Sequence, residues 1–315
     1  MTANLPELQP TLDDLDAELS PDESLSERRG RHMSRRTLYT RRFLRNKGAV
    51  VGVVILGLLV LFAVLGGFLT SYTYSDVDFT NLSSEPSLDH LFGTNGSGND
   101  TYAQAAHGLG RSMIIALSVS LLTTVISAFV GAAAAYFGGT VERAILGLVH
   151  FLLVVPAFLI LALVSQSAGG DWRALIIVLT ALGWMYNARV VWSLSTSLRE
   201  REYVQAARFM GVGSFRIVFR HMIPNIGSLL IVTFTLGVVA TVQGETALSF
   251  IGFGVQLPDV SLGTMLSDGA GSLSSSWWLF VFPAVLVTLL TVSMALIGDG
   301  LRDALDPTSR SGGRA

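Results

Sequence analysis

The chain has 315 residues, of which 50% are hydrophobic and only 14% charged, where a soluble domain carries roughly a quarter charged residues. Its charges gather in short stretches between long apolar runs, the pattern of a chain whose solvent is partly lipid. The absence of cysteine excludes disulfides, zinc–thiolate sites, iron–sulfur clusters and thiol nucleophiles, and a net charge of −2 identifies no partner.

Residues 1–27 hold eight acidic groups (Glu7, Asp13, Asp14, Asp16, Glu18, Asp22, Glu23, Glu27), and no Lys or Arg precedes Arg28. With few large apolar side chains this stretch cannot offset its conformational entropy, and a disordered acidic tail is expected. The sign then reverses, with nine cations from Arg28 to Lys47. The uncharged run 49–70 follows. At 1.5 Å per residue it spans roughly 30 Å, the thickness of the hydrocarbon core. It is too long, and too far from the amino terminus, for a cleaved signal peptide, so it is expected to remain as an anchor.

Further uncharged runs lie at about 113–137, 144–165, 174–192, 226–243 and 278–297. Each reaches or approaches the ~20 residues of a spanning helix. The expected fold is therefore all-α, a polytopic membrane protein with six transmembrane helices. Residues 1–47 form a cytoplasmic tail, 48–308 the membrane domain and 309–315 a second disordered tail. With the amino terminus inside, the inner segments collect 18 of the 21 cations. The outer ones hold Arg111 and Arg173, and Arg189 lies within the fourth span. That bias places both termini in the cytoplasm. Trp172, Trp277 and Trp278 fall at the outer boundary, where an aromatic belt is expected.

The segment 199–224 carries the most information. Glu202 to Met210 is rich in helix formers, and Tyr203, Ala206, Ala207 and Met210 share one face by their spacing of three and four. Gly211 and Gly213 permit a turn with positive φ. Ser214 is a candidate N-cap for a second helix that runs to Pro224 at the membrane surface. On patterning alone, the first helix either lies on lipid or docks into a groove on a cytoplasmic partner.

The order Ala206-Ala207, three residues, Gly211, then an aliphatic–Pro pair at Ile223-Pro224 resembles the "EAA" loop of bacterial ABC importer permeases. Arg-Glu-Tyr203-Val-Gln-Ala-Ala-Arg and Arg220-His-Met-Ile-Pro-Asn225 are similar to the dipeptide/oligopeptide branch. So are 91–100 (LFGTNGSGND), 244–254 (GETALSFIGFG) and 298–307 (GDGLRDALDP). The resemblance covers about residues 40 to 308 and is to the second permease of a heterodimeric pair. It departs at Gln205, where the family usually has Glu, and at Asn95 and Asn99, which replace Asp and Arg.

This resemblance implies a type I permease bundle in the bacterial cytoplasmic membrane that moves peptides by alternating access. Implied partners are a second permease, one fused or two separate P-loop ATPases, and an extracellular or periplasmic solute-binding protein, with no nucleic acid. Tyr203, Gln205, Ala206, Ala207, Met210, Gly211, Ser214 and Pro224 would form the coupling loop to the ATPase, and Asp100 and Asp259 would meet the binding protein. Related permeases also serve nickel and other small solutes, which leaves that alternative open.

Arg189 and Glu245 sit within or beside spans, where a charge usually faces a cavity or a partner; they are expected at the pore or a subunit interface. The single lysine, Lys47, follows no Gly-rich loop, so no P-loop and no ATPase chemistry of the chain's own are expected. The five histidines are scattered without metal spacing, and no metal or cofactor is expected. Paired mid-membrane ions or inverted repeats would suit an ATP-independent channel or secondary transporter, and the sequence shows neither.

Overall fold

The computed structural model describes residues 35–305. The acidic tail 1–27, and the tail 309–315 with Arg310 and Arg314, lie outside the described residues. The chain divides into two units, ending and beginning at Arg42 and Phe43. Helix α1 (Arg35–Arg45), which the apolar patterning does not announce, straddles that boundary. Everything below concerns the second unit.

Helix α2 (Lys47–Leu65) starts at Asn46, whose Oδ1 accepts the Ala49 N–H at 3.1 Å, and ends in a 3₁₀ turn, Gly66–Phe68. Val51, Val54, Leu58, Leu61 and Val64 are exposed on it, an uninterrupted apolar face suited to lipid. Helix α3 (Thr101–Phe137) runs 37 residues, about 55 Å. The run 113–137 is only its apolar part, because His107 and Arg111 interrupt the hydropathy but not the helix.

Where one span was expected over 144–165, the structure has α4 (Gly139–Val154) and α5 (Ala157–Ser167), bent by 73°. Pro156 explains the break. It lacks an N–H, and it drives the preceding residue out of the α region; Val155 is extended, at φ −71° and ψ 129°. Among the described residues, five helices are thus long and apolar enough to cross a membrane, or six crossings if the bent pair is one.

Helix α6 (Trp172–Arg199) extends the expected 174–192 span. It is followed by the short α7 (Glu202–Phe209) and α8 (Ser214–Ile217). A π turn (Val218–Met222) and a 3₁₀ turn (Ile223–Ile226) lead into α9 (Gly227–Phe250). Helices α10 (Leu262–Ala270) and α11 (Trp278–Leu305) complete the fold.

Three apolar clusters hold these helices. Leu59, Leu109, Val238, Leu262 and Leu290 join α2, α3, α9, α10 and α11. Ala132, Val191, Val204, Ala207 and Met222 join α3, α6 and the 202–226 segment. Ile115, Leu175, Leu248 and Val255 close the other end of α3. Between membrane helices, where lipid competes on equal terms for apolar surface, close approach at small residues and interhelical hydrogen bonds add stability. Ser120 accordingly donates to the Phe234 carbonyl at 2.6 Å, tying α3 to α9. At Gly131 of α3, a Cβ would lie 2.5 Å from the Ala188 carbonyl and 2.8 Å from Val191 Cβ of α6. Gly269 of α10 lies similarly close to the Leu279 carbonyl, the one acceptor in α11 that Pro283, lacking an N–H, leaves unpaired.

Gly131→Ile should therefore force α3 and α6 apart and lower stability by about 1–3 kcal/mol. Gly57 of α2 has open space where its Cβ would be, so Gly57→Ile serves as the control. Thermal unfolding of the two variants in detergent should show a lower Tm for Gly131→Ile alone.

Candidate functional site

The segment 199–226 forms an elbow at the end of the bundle where α3 and α6 finish. Arg199 Nη1 donates to the Ala135 carbonyl at 3.1 Å, serving an acceptor in the last turn of α3 that has no intrahelical donor. Trp192 Nε1 donates to Glu142 Oε1 of α4 at 2.9 Å. Helix α7 then closes in a Schellman turn. The Val212 N–H reaches the Ala207 carbonyl and the Gly211 N–H the Arg208 carbonyl, both at 3.1 Å, with Gly211 at φ +74°. Gly213 has an ordinary negative φ and is itself the residue before α8.

Three expectations change here. Ser214 does not cap α8; it is the first helical residue, and its side chain makes no capping bond. Pro224 does not end the run, which continues into α9. Its missing N–H and its ring are accommodated by widening to a π turn just before it, and Asn225 Nδ2 donates to the His221 carbonyl.

The third change concerns the exposed face. Ala207, expected to point outward with Ala206 and Met210, is 2% exposed and packs with Val191, Val204, Ile217 and Met222. The face left open consists instead of Tyr203, Ala206, Met210 and three phenylalanines. Phe209 is 87%, Met210 76% and Phe215 73% exposed, and Phe219 is also open. Phe215 and Phe219 meet Phe137 and Phe129 of α3 edge to face. Gln205 is exposed, with only a long contact from its amide to the Glu200 carbonyl. Sequence reasoning missed Phe209 because it lies outside the Tyr203, Ala206, Ala207 and Met210 face that the helical spacing picked out. The signal available was that three phenylalanines fall within 209–219, on two short helices and a turn whose buried positions are already taken by Val204, Ala207, Ile217 and Val218.

At the opposite end, the residues of 71–111 and 248–277 that were expected to meet a partner are engaged inside the chain. Asp100 is 1% exposed; its Oδ1 accepts the Ala103 N–H at 2.6 Å and its Oδ2 lies 2.8 Å from His90 Nδ1. That burial removes it as a contact for a binding protein. His90 also faces Asp78 at 3.5 Å and stacks on Tyr72. Asp259 is engaged by His107 Nε2 and Arg111 Nε, each at 2.7 Å. Tyr74 stacks on His107, and Arg111 lies 4.3 Å over the Trp172 ring. Burial acts to raise the Asp259 pKa, but hydrogen bonds from His107 and the Val260 N–H, with the Arg111 charge, outweigh it and hold the carboxyl below its ordinary value. The charged clamp thus persists at any pH above the usual carboxylate range and is lost only below it.

Trp278 leaves the expected aromatic belt. It is 2% exposed and donates to the Thr94 carbonyl at 3.2 Å. Asn95 and Asn99 pair as neutral amides, with Asn95 Nδ2 donating to Asn99 Oδ1 at 3.2 Å.

The two intramembrane charges part company. Glu245 is 1% exposed, and its Oε1 accepts from Ser249 at 2.7 Å and Ser261 at 2.6 Å. Ser261 caps α10, whose Leu262 N–H donates to Ser112 of α3 at 3.1 Å. Glu245 is thus sealed inside the chain rather than placed on a pore or interface. Arg189 is exposed, in an open groove of about 630 Å³ with Tyr186, Trp192, Ser193, Ser197 and Leu229.

Residues 125–311 match the family described as binding-protein-dependent transport system inner membrane component, and residues 35–86 match the N-terminal TM domain of oligopeptide transport permease C. The first match covers more than half of the chain. The chain belongs to this family. It is 46% identical over 280 residues to the oligopeptide transport system permease protein OppC of Mycobacterium tuberculosis, covering 88% of this chain and 96% of that protein. Identity to the OppC protein of Haemophilus influenzae is 35% over 272 residues (86% and 88%), and to the dipeptide transport system permease protein DppC of Bacillus subtilis 34% over 271 residues (86% and 85%). The family region includes the exposed elbow, Arg189 and Glu245, while Asp100, His107 and Arg111 fall between the two matched segments.

Glu245→Leu would leave the Ser249 and Ser261 hydroxyls without their acceptor, at about 1–3 kcal/mol for each buried donor, whereas Glu245→Gln keeps one oxygen for them. Hydrogen exchange over 251–277 should rise in Glu245→Leu and stay near wild type in Glu245→Gln.

Proposed function

We propose that the chain is the membrane-spanning subunit of an ATP-driven importer that takes peptides across the cytoplasmic membrane, with both termini on the cytoplasmic side. Family membership and the peptide systems named for its relatives support the transport role and the substrate class. The charge bias of the sequence supports the orientation.

In this reading the chain pairs with a second permease, receives peptide from a binding protein at its outer segments and leaves ATP hydrolysis to partner subunits. Its single lysine, outside any P-loop pattern, supports that division of labour. The observation that carries the coupling assignment is the elbow: Phe209 and Met210 at the end of α7 and Phe215 on α8 stand exposed, while Val204, Ala207 and Ile217 of the same two helices are locked into the bundle. Aromatic anchors on a rigid support are what a partner's apolar groove requires. The Schellman turn at Gly211 and the Arg199 contact to α3 would pass a push on those side chains into α3 and α6 and rock the bundle between its two open states.

The chain should be purified from its native membrane in mild detergent and its companions identified by mass spectrometry. A second permease and one or two P-loop ATPases are expected; recovery of the chain alone would sink the importer reading. In the same preparation Phe209→Asp should insert normally yet lower the ATPase yield at least about tenfold. An unchanged yield would instead put that aromatic face on lipid. Ala207→Asp is a poorer probe, because it buries a charge in the elbow core and unfolds the element that it is meant to test.

A further inference from the structure

Arg189 remains without a counterpart. Among the described residues it makes no ion pair or hydrogen bond, although it lies in a helix apolar enough to span the membrane, about 15 Å along the axis from Arg199. A cation so placed needs an anion or carbonyl oxygen from outside the chain. The helix face around it is not built for lipid. Tyr186, Arg189, Ser193 and Ser197 are all exposed and recur at spacings of three and four, one stripe on one side of α6. The exposed face of α2 beyond Lys47, by contrast, is Val and Leu with Gly57 and carries no polar side chain. A second groove, lined by Glu200, Glu202, Tyr203 and Asn225, lies at the C-terminal end of α6, toward the elbow.

We propose that Arg189, with the Tyr186 and Ser193 hydroxyls, forms a subsite on the translocation path that takes the C-terminal carboxylate of the peptide in transit. The inference rests on the peptide-import reading. Its chemistry suits a carrier of varied sequences. A guanidinium fork binds a carboxylate through two parallel hydrogen bonds, and hydroxyls serve either peptide N–H or C=O groups, so recognition uses what all free peptides share. Val190, Leu194 and Leu229 border the same groove and accept side chains without selecting among them.

The test uses the whole importer in proteoliposomes, with the binding protein preloaded with one peptide either as the free acid or as its C-terminal amide. Preloading removes the binding protein's own preference, and initial uptake rates give the acid-to-amide ratio. The wild type should favour the acid by about tenfold, the worth of one charge-assisted contact. Arg189→Gln should bring the ratio to about one, and Arg189→Lys should keep part of the preference. A wild-type ratio of one, or a ratio unchanged in Arg189→Gln, overturns the subsite. Loss of the second permease from both purified variants overturns it in favour of an acidic residue across the subunit interface. A ratio that follows the content of anionic lipid rather than Arg189 overturns it in favour of a lipid phosphate. If the wild type moves neither peptide, the failure lies with the peptide-import reading itself.

Discussion

The close approach of α3 and α6 at Gly131 is the contact on which the ends of the bundle depend. A helix pair can be stiff over 40 or 50 Å only if its backbones are held at a fixed distance, and a glycine facing a carbonyl fixes that distance more tightly than interdigitated leucines do. Both polar clusters are spanned by the same two helices. At one end Arg199 of α6 reaches the last turn of α3, and at the other Arg111 of α3 covers Trp172 at the start of α6. The elbow and the Asp259 clamp are therefore attached to one rigid pair, with little slack between them.

The helices were legible because each apolar run had to be about as long as the hydrocarbon is thick. Their ends were not. Hydropathy stops at a charge, whereas a helix stops only where its backbone loses its partners, which is why α3 begins twelve residues before the apolar run and Asp100 caps it. Pro156 was visible as a residue, but its effect depends on whether neighbours can serve the freed carbonyls. At Pro224 a π turn just before it absorbs the defect, and the run goes on; at Val155 the chain bends instead. The Schellman turn at Gly211 was readable from one glycine. The direction of Ala207 was not, since an alanine gives no sign of its side until the packing partner is known, and Val191 lies on a helix distant in sequence.

Glu245 and Arg189 illustrate the same limit at the level of charge. Each is one ionisable residue in a long apolar helix, and the sequence ranks them alike. Their neighbours decide otherwise. Glu245 faces the start of α10, where two serine hydroxyls from separate elements converge on one oxygen, so the carboxyl becomes the fastening of the 251–277 segment. Arg189 is exposed, and the polar side chains that its own helix places beside it are serines and a tyrosine, none of them an anion. What separates the two is that the chain supplies hydrogen-bond donors to Glu245 and, among the described residues, no acceptor to Arg189.

The segment 71–100 makes a related point with neutral groups. Asn95 and Asn99 stand where relatives are expected to carry Asp and Arg, yet the side chains still meet, and Asn95 Oδ1 accepts the backbone N–H groups of Ser97 and Asn99 at 3.0 and 2.9 Å. An Asp oxygen could accept those same two bonds, so the turn geometry needs an acceptor at position 95 rather than a charge. The adjoining anchors confirm where the segment's stability resides: the Thr94 carbonyl takes the Trp278 indole, and Phe92 stacks on Phe282 at 4.0 Å. The first is buried and the second apolar, so both are indifferent to ionic strength. Neutral amides at 95 and 99 therefore suffice for the fold of this segment.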